Sequence, residues 1–197
     1  MDPVEGVFIA GEGTRKLRVI CMSDTHGLHH SYMKVWPDGD VLVMCGDFVA
    51  KEQERQFAAA IDDANKFFSA APYQHKLYVA GNHERHLDGR KVSEIQAALE
   101  HCTYLQDSSV VIDGCKFYGT PWTGAVHMAF GKFGPLRGRA FRQIPADTDV
   151  LLSHMPPFNI LDLDIIRWSC SKGLGVCDLC HREHRGLRHV GCSYLRD

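Results

Sequence analysis

The sequence has no long apolar run. Nothing in it approaches the ~18 consecutive apolar residues of a membrane-spanning helix, so no membrane partner is expected. It also lacks an excess of positive charge: 22 Lys and Arg stand against 24 Asp and Glu, a formal net charge of −2. Electrostatic capture of a nucleic-acid polymer needs a basic excess, so such a partner is not expected either. The first residues, Met1 to Gly13, carry Asp2, Glu5 and Glu12 and show no basic segment ahead of an apolar one. That is not the pattern of a secretory signal, and a cytoplasmic, reducing location is the expectation. Internal repeats and low-complexity segments are absent as well.

What remains is an ordinary globular composition, 45% hydrophobic and 23% charged. A chain of 197 residues fits one domain spanning 1–197 and buries roughly 70% of its unfolded surface. Two counts are high, 12 His and 8 Cys. In a reducing compartment the cysteines are thiols or ligands before they are disulfides. Cys21, Cys45 and Cys115 lie inside apolar runs and read as small buried hydrophobes.

Four short apolar runs recur, each of strand length and each closed by polar residues. Leu17 to Met22 ends in Ser23-Asp24-Thr25-His26-Gly27, and Val41 to Cys45 ends in Gly46-Asp47. Leu77 to Ala80 ends in Gly81-Asn82-His83-Glu84, and Val150 to Leu152 ends in Ser153-His154. Continuous apolar runs bounded by turn residues predict strands buried on both faces. Phe57, Ile61, Ala64 and Phe68 form one helical stripe, and Ile95, Ala98, Leu99 and Cys102 form another. Asp113-Gly114 between two apolar runs predicts a hairpin turn. The glycine-rich stretch from Gly119 to Gly138 reads as one long loop. The pattern is that of a layered α/β domain with mixed strand pairing.

The polar residues at the strand ends carry the chemistry. Asp24 and His26, Asp47, Asn82 and His83, and His154 follow four buried strands, whose carboxyl ends face a common crevice in an α/β sheet. Carboxylates, a carboxamide and imidazoles suit borderline divalent ions such as Mn²⁺, Fe²⁺ or Zn²⁺. Asp47 has two oxygens with which to bridge two ions roughly 3.5–4 Å apart. Each motif alone is weak, but four in order at strand ends are a specific signal.

In this order Asp24-x-His26, Gly46-Asp47, Gly81-Asn82-His83-Glu84 and His154 resemble the motifs of the calcineurin-like metallophosphoesterases. Ser23-Asp24-Thr25-His26, and Gly119-Thr120-Pro121-Trp122 through Ala129-Phe130, are similar to the metallophosphoesterase-domain branch. The likeness covers residues 16–158. It implies a layered β-sandwich flanked by helices, around a centre of two divalent metal ions (Mn, Fe or Zn). By the resemblance, Asp24 and His26 hold the first ion, Asp47 bridges, and Asn82 and His154 hold the second. His83 is then the catalytic residue, stabilising the phosphoryl group or protonating the leaving oxygen, with Glu84 orienting it. His29, in the loop after the first motif, and Trp122 are candidates for contact with substrate. Trp122 and Phe130 would serve as base-stacking platforms, with core packing the competing role.

The sequence departs from that pattern at its end. The family closes its site with Gly-His-x-His, which is absent. The nearest segment, Leu187 to Tyr194, reads as a strand followed by Cys192 and Tyr194 in place of both histidines, and on that alignment the last strands are missing. The divergent segment 170–197 is rich in Cys, His and Arg, and Cys177, Cys180, His181 and His184 form a compact group. A zinc site there competes with incidental thiols in a polar segment. The function expected is metal-dependent hydrolysis of small phosphate esters, chiefly phosphodiesters such as cyclic nucleotides. The alternative is a nucleotide-binding protein with weak or no turnover.

Overall fold

Side chains alternate across every central strand, and this alternation fixes the layers of the computed structural model. Residues 6–10, 17–34, 36–155 and 188–191 are described. Along β3 (Val41–Cys45), Val41, Val43 and Cys45 face one hydrophobic core, while Leu42 and Met44 face another. β2 (Leu17–Met22) and β4 (His75–Val79) flank it in parallel, pairing Met22 with Met44 and Cys45 with Val79. β1 (Gly6–Ala10) joins β2 antiparallel, and the two-residue β5 (Thr103–Tyr104) extends the other edge, giving the order β1-β2-β3-β4-β5.

A second sheet has the order β6-β7-β8-β9: β6 (Ser108–Ile112), β7 (Cys115–Thr120), β8 (Val150–Ser153) and β9 (Arg188–Gly191). β6 and β7 form the expected hairpin, with Asp113 and Gly114 at φ 47° and 81°. β8 and β9 then add in parallel. Leu77, Val79, Phe117, Val150 and Leu152 pack between the sheets, with Cys45 and Cys115 beside them. Cys21 is half-buried, and its burial pushes the thiol up to about 12.

Helices cover both outer faces. α1 (Phe57–Ala70) carries the predicted stripe, and Ile61, Ala64, Phe67 and Phe68 pack on Leu42, Met44 and Tyr78. Pro72 disfavours a helical residue before it, and Ala71 is accordingly extended at ψ 125°. α2 (Val92–Ala98) is shorter than its stripe. Leu99 is extended and Cys102 reaches the core from the following segment, so burial continues where the helix has stopped. The stretch 119–138 is not one loop: Gly119 and Thr120 complete β7, and α3 (Gly134–Phe141) opens with Pro135 in its first turn. α3 sets Phe141 against Tyr118 and Leu151 on the outside of the second sheet. The layers thus run helix, sheet, sheet, helix, the sandwich that the resemblance implied. No helix among the described residues is long and apolar enough to cross a membrane.

Candidate metal centre

Because β2, β3 and β4 are parallel and in register, their carboxyl ends leave the sheet at one edge, and β8 delivers its own end there from the second sheet. The turns beyond the strands are tight. Asp24, His26 and Asp47 all have positive φ, at 53°, 44° and 53°, which is uncommon outside glycine and clusters where function demands it. The strain is held by backbone hydrogen bonds: the amides of Asp24, His26 and Gly27 donate to the carbonyls of Gly46, Asp47 and Phe48 at 3.0, 3.0 and 2.9 Å. The loop after β2 therefore continues the pairing of β2 with β3 and brings its motif beside the second one.

The result is a cluster centred on Asp47. Donor atoms of Asp24, Asp47 and His154 all lie within 4.8 Å of one another. His26 Nε2 and His83 Nε2 are each 3.8 Å from Asp47 Oδ2, while His154 Nε2 is 3.5 Å from Oδ1. Asn82 Oδ1 lies 2.9 Å from His154 Nε2. The five residues that the resemblance assigns to the two ions, Asp24, His26, Asp47, Asn82 and His154, are thus at this one edge. Asp47 and His154 are buried, Asp24 and Asn82 half-buried, and His26 and His83 face solvent in part.

The donor set fits divalent cations. His154 Nδ1 is 2.9 Å from the Cys45 carbonyl oxygen, which can only accept, so Nδ1 carries the proton. In a neutral imidazole the Nε2 lone pair then faces Asn82 Oδ1 and Asp47 Oδ1, oxygens a cation would share. Burial acts to lower the pKa of His154, but the charges of Asp47 and Asp24 outweigh it and the net direction is upward. A fully buried imidazole thus sits in a field that favours a positive charge, whether from a proton or from an ion.

Glu84 does not orient His83. It is fully buried, and its carboxylate accepts the backbone amides of Asp47, Phe48 and Gly81, the first two at 2.8 Å. It therefore braces the turn after β3 against the turn after β4. Burial and the nearby Asp47 raise its pKa to about 7, against the opposing pull of those amides. The partner of His83 is Glu54, whose Oε1 lies 2.7 Å from Nδ1, and Arg85 Nε donates to the other oxygen of Glu54 at 3.2 Å. Burial favours the protonated form of Glu54, but His83 and Arg85 together hold its pKa below the ordinary value. Sequence reading missed Glu54 because 29 residues separate it from His83 and no motif contains it. Ser23, whose single hydroxyl proton is shared between the Asp24 carboxylate and the Cys45 carbonyl, was visible only as the residue ahead of Asp24.

The two candidate substrate contacts are engaged in other packing. His29 is fully buried and stacked on Phe48 with ring centroids 3.7 Å apart, so it has no surface to offer a substrate. Trp122 donates its indole N–H to Asp107 at 2.7 Å, and Lys132 Nζ sits 3.5 Å from the ring centroid. One face of the indole is thereby covered by a cation, and Phe130 packs at 5.9 Å in the core. β9 ends with Gly191 opposite Ser153, one residue before His154, so the predicted strand reaches the level of the site. Cys192 and Tyr194 lie outside the described residues, as does the group Cys177, Cys180, His181 and His184.

Comparison with known proteins points the same way. A UPF0046 protein of Caenorhabditis elegans is 35% identical over 83% of this chain and 64% of its own length. Metallophosphoesterase domain-containing protein 1 of Homo sapiens is 31% identical over 74% of this chain and 50% of its own length. The chain thus spans about half to two thirds of these relatives. A solved structure with 14% sequence identity superposes with a TM-score of 0.50 over 80% of this chain and 75% of that one, a likeness of fold alone. The calcineurin-like phosphoesterase family model matches residues 17–176, which include every strand-end motif at the metal-binding edge. The chain belongs to the calcineurin-like phosphoesterase family.

Proposed function

We propose that the chain hydrolyses phosphate esters with divalent metal ions held at the Asp47 edge, and that its substrates are small phosphodiesters of the cyclic-nucleotide kind. The observation that carries this reading is the position of Asp47: one buried carboxylate with three imidazole Nε2 atoms within 4 Å, two facing Oδ2 and one facing Oδ1. Such an arrangement suits a bridging ligand with a donor set on either side. Asp24 and His26 would hold one ion, Asn82 and His154 the other. When bound, two divalent ions neutralise charge on phosphoryl oxygens and acidify a water molecule.

The chain's own groups do the rest. Glu54 accepts the Nδ1 proton of His83 and fixes the ring, which directs Nε2 toward the mouth of the cluster. With Nδ1 tied to Glu54, Nε2 is the atom of His83 left to pass a proton to a leaving oxygen. Glu84 keeps the two strand-end turns together and stays out of solvent, a positioning role. The preference for phosphodiesters rests on the family likeness, as does the number of ions.

The deciding experiment pairs metal content per chain with hydrolysis of an aryl phosphodiester, an aryl phosphomonoester and a cyclic nucleotide in Mn²⁺. Turnover of the diesters, abolished by Asp47→Ala, is the expected result. Equal rates in wild type and Asp47→Ala overturn the assignment of the site. Bound metal with nucleotide affinity but no turnover instead supports the binding-protein reading.

A further inference from the structure

A second group of metal-ligating side chains lies where the segment after β2 meets α1. His29 and His30 open a 3₁₀ turn, His29–Lys34, and Asp63 projects from α1 toward them. His29 Nε2 lies 3.2 Å from Asp63 Oδ2, His30 Nε2 lies 2.5 Å from Oδ1, and donor atoms of all three residues fall within 4.8 Å of one another.

The side chain that points to a ligand is His29. It is fully buried, clamped between Phe48 and the edge of Phe67, and its Nε2 makes no hydrogen bond despite facing the carboxylate. Its other nitrogen, Nδ1, is 3.4 Å from the hydroxyl of Thr25, whose own proton goes to the Phe48 carbonyl. A buried imidazole nitrogen beside a carboxylate oxygen, without hydrogen-bond geometry, leaves an uncompensated contact. Burial, chiefly, lowers the His29 pKa to about 4, so near neutral pH the ring is uncharged and able to ligate. The Lys66 ammonium, one turn further along α1, is committed to Asp62 at 2.6 Å.

We infer that His29, His30 and Asp63 form a mononuclear site for a borderline divalent ion of the Zn²⁺ class, separate from the Asp47 cluster. Two imidazoles and a carboxylate are a zinc donor set that leaves the fourth position for water. His30 is 44% exposed at its side chain, which gives the ion a path in. An ion there ties the segment that carries His26 to α1, and so steadies one wall of the main cluster.

The test uses Zn²⁺ alone as probe and reads binding, not turnover. In an Asp47→Ala background Zn²⁺ is expected to raise the Tm, and adding His30→Ala or Asp63→Asn is expected to remove that rise. Zinc per chain should fall by one equivalent from wild type to His30→Ala, with affinity at the site weakened about tenfold or more. In Co²⁺-loaded protein, the same substitution should delete one component of the visible absorption. His30 is partly exposed, so His30→Ala reports even if Asp63→Asn perturbs α1. Equal zinc content and an equal Zn²⁺-induced Tm shift with and without His30→Ala overturn the inference. Loss of turnover in Asp47→Ala with this site's zinc retained separates the two sites.

Discussion

Glu54 and Glu84 are both acidic partners of the Gly81-Asn82-His83-Glu84 motif, yet they do different work. Glu84 is buried and spends its oxygens on backbone amides, whereas Glu54 is in part solvent-facing and spends one on His83. Glu54→Gln keeps an acceptor near Nδ1 but removes the negative charge paired with His83. It is expected to lower kcat about tenfold or more, with KM little changed; an unchanged kcat would assign Glu54 a packing role only. His86 supplies a stability prediction. Its ring is buried, and that burial, with Arg90 adding to it, lowers the pKa to about 4 from 6.5 despite a contact with the Glu54 carbonyl. The folded pKa lies below the unfolded one, so the unfolded chain takes the proton first on acidification. The contribution, on the order of 3 kcal/mol, is intact above pH ~6.5 and is lost progressively towards pH ~4. Urea midpoints at pH 7.5 and 4.5 should therefore differ less in His86→Gln than in wild type.

At the scale of elements, the site depends on how closely the ends of β3 and β4 approach. Gly46 has φ +89°, and a Cβ there would lie 2.5 Å from the amide nitrogen of Gly81 and 2.7 Å from His154 Nδ1. Both neighbours are hard to move: one is backbone and the other a packed ring at the candidate metal edge. Gly46→Ala should cost more than the ~1–2 kcal/mol of the left-handed backbone alone, because the strand ends must also separate. Thermal unfolding and metal titration check this together. A variant with wild-type Tm and metal affinity would mean that the approach is not required. The stripe on α1 and the Asp113-Gly114 hairpin were legible because each depends on local periodicity or on one turn. α3 was not, since its segment holds three glycines, at 131, 134 and 138, and its helix is secured by packing of Phe141 on the second sheet.

For the whole molecule, the decisive feature is that one of the proposed ligands arrives from a different sheet. His154 follows β8, while Asp24, His26, Asp47, Asn82 and His83 follow β2, β3 and β4. The inter-sheet core therefore sets the geometry of the centre as well as the stability. Phe117 is fully buried in that core beside Val150 and Leu152. Phe117→Ala should destabilise by about 3–5 kcal/mol and, by letting the sheets shift, weaken metal binding at a residue that touches no ligand. Calorimetry and a metal titration on the same sample read both effects. Reduced stability with unaltered affinity would show that the strand-end turns alone hold His154 in place.

The sequence by itself determined the strand-end motifs, the order in which they occur, and the class of ion that their donors favour. Those follow from residue type and from apolar runs a few residues long, which are local properties. It also carried the hairpin, the first helix and the buried character of Cys45 and Cys115. Only the tertiary structure decided that His154 comes from the second sheet and the other motifs from the first, because strand order depends on pairings between distant segments. The same holds for Glu54 as the partner of His83 and for Glu84 as a brace. It holds equally for His29, which lies in a polar loop by sequence and in the core by structure. The carboxylates look alike in the sequence, and burial and the nearest donor decide which one positions a proton and which one holds the backbone.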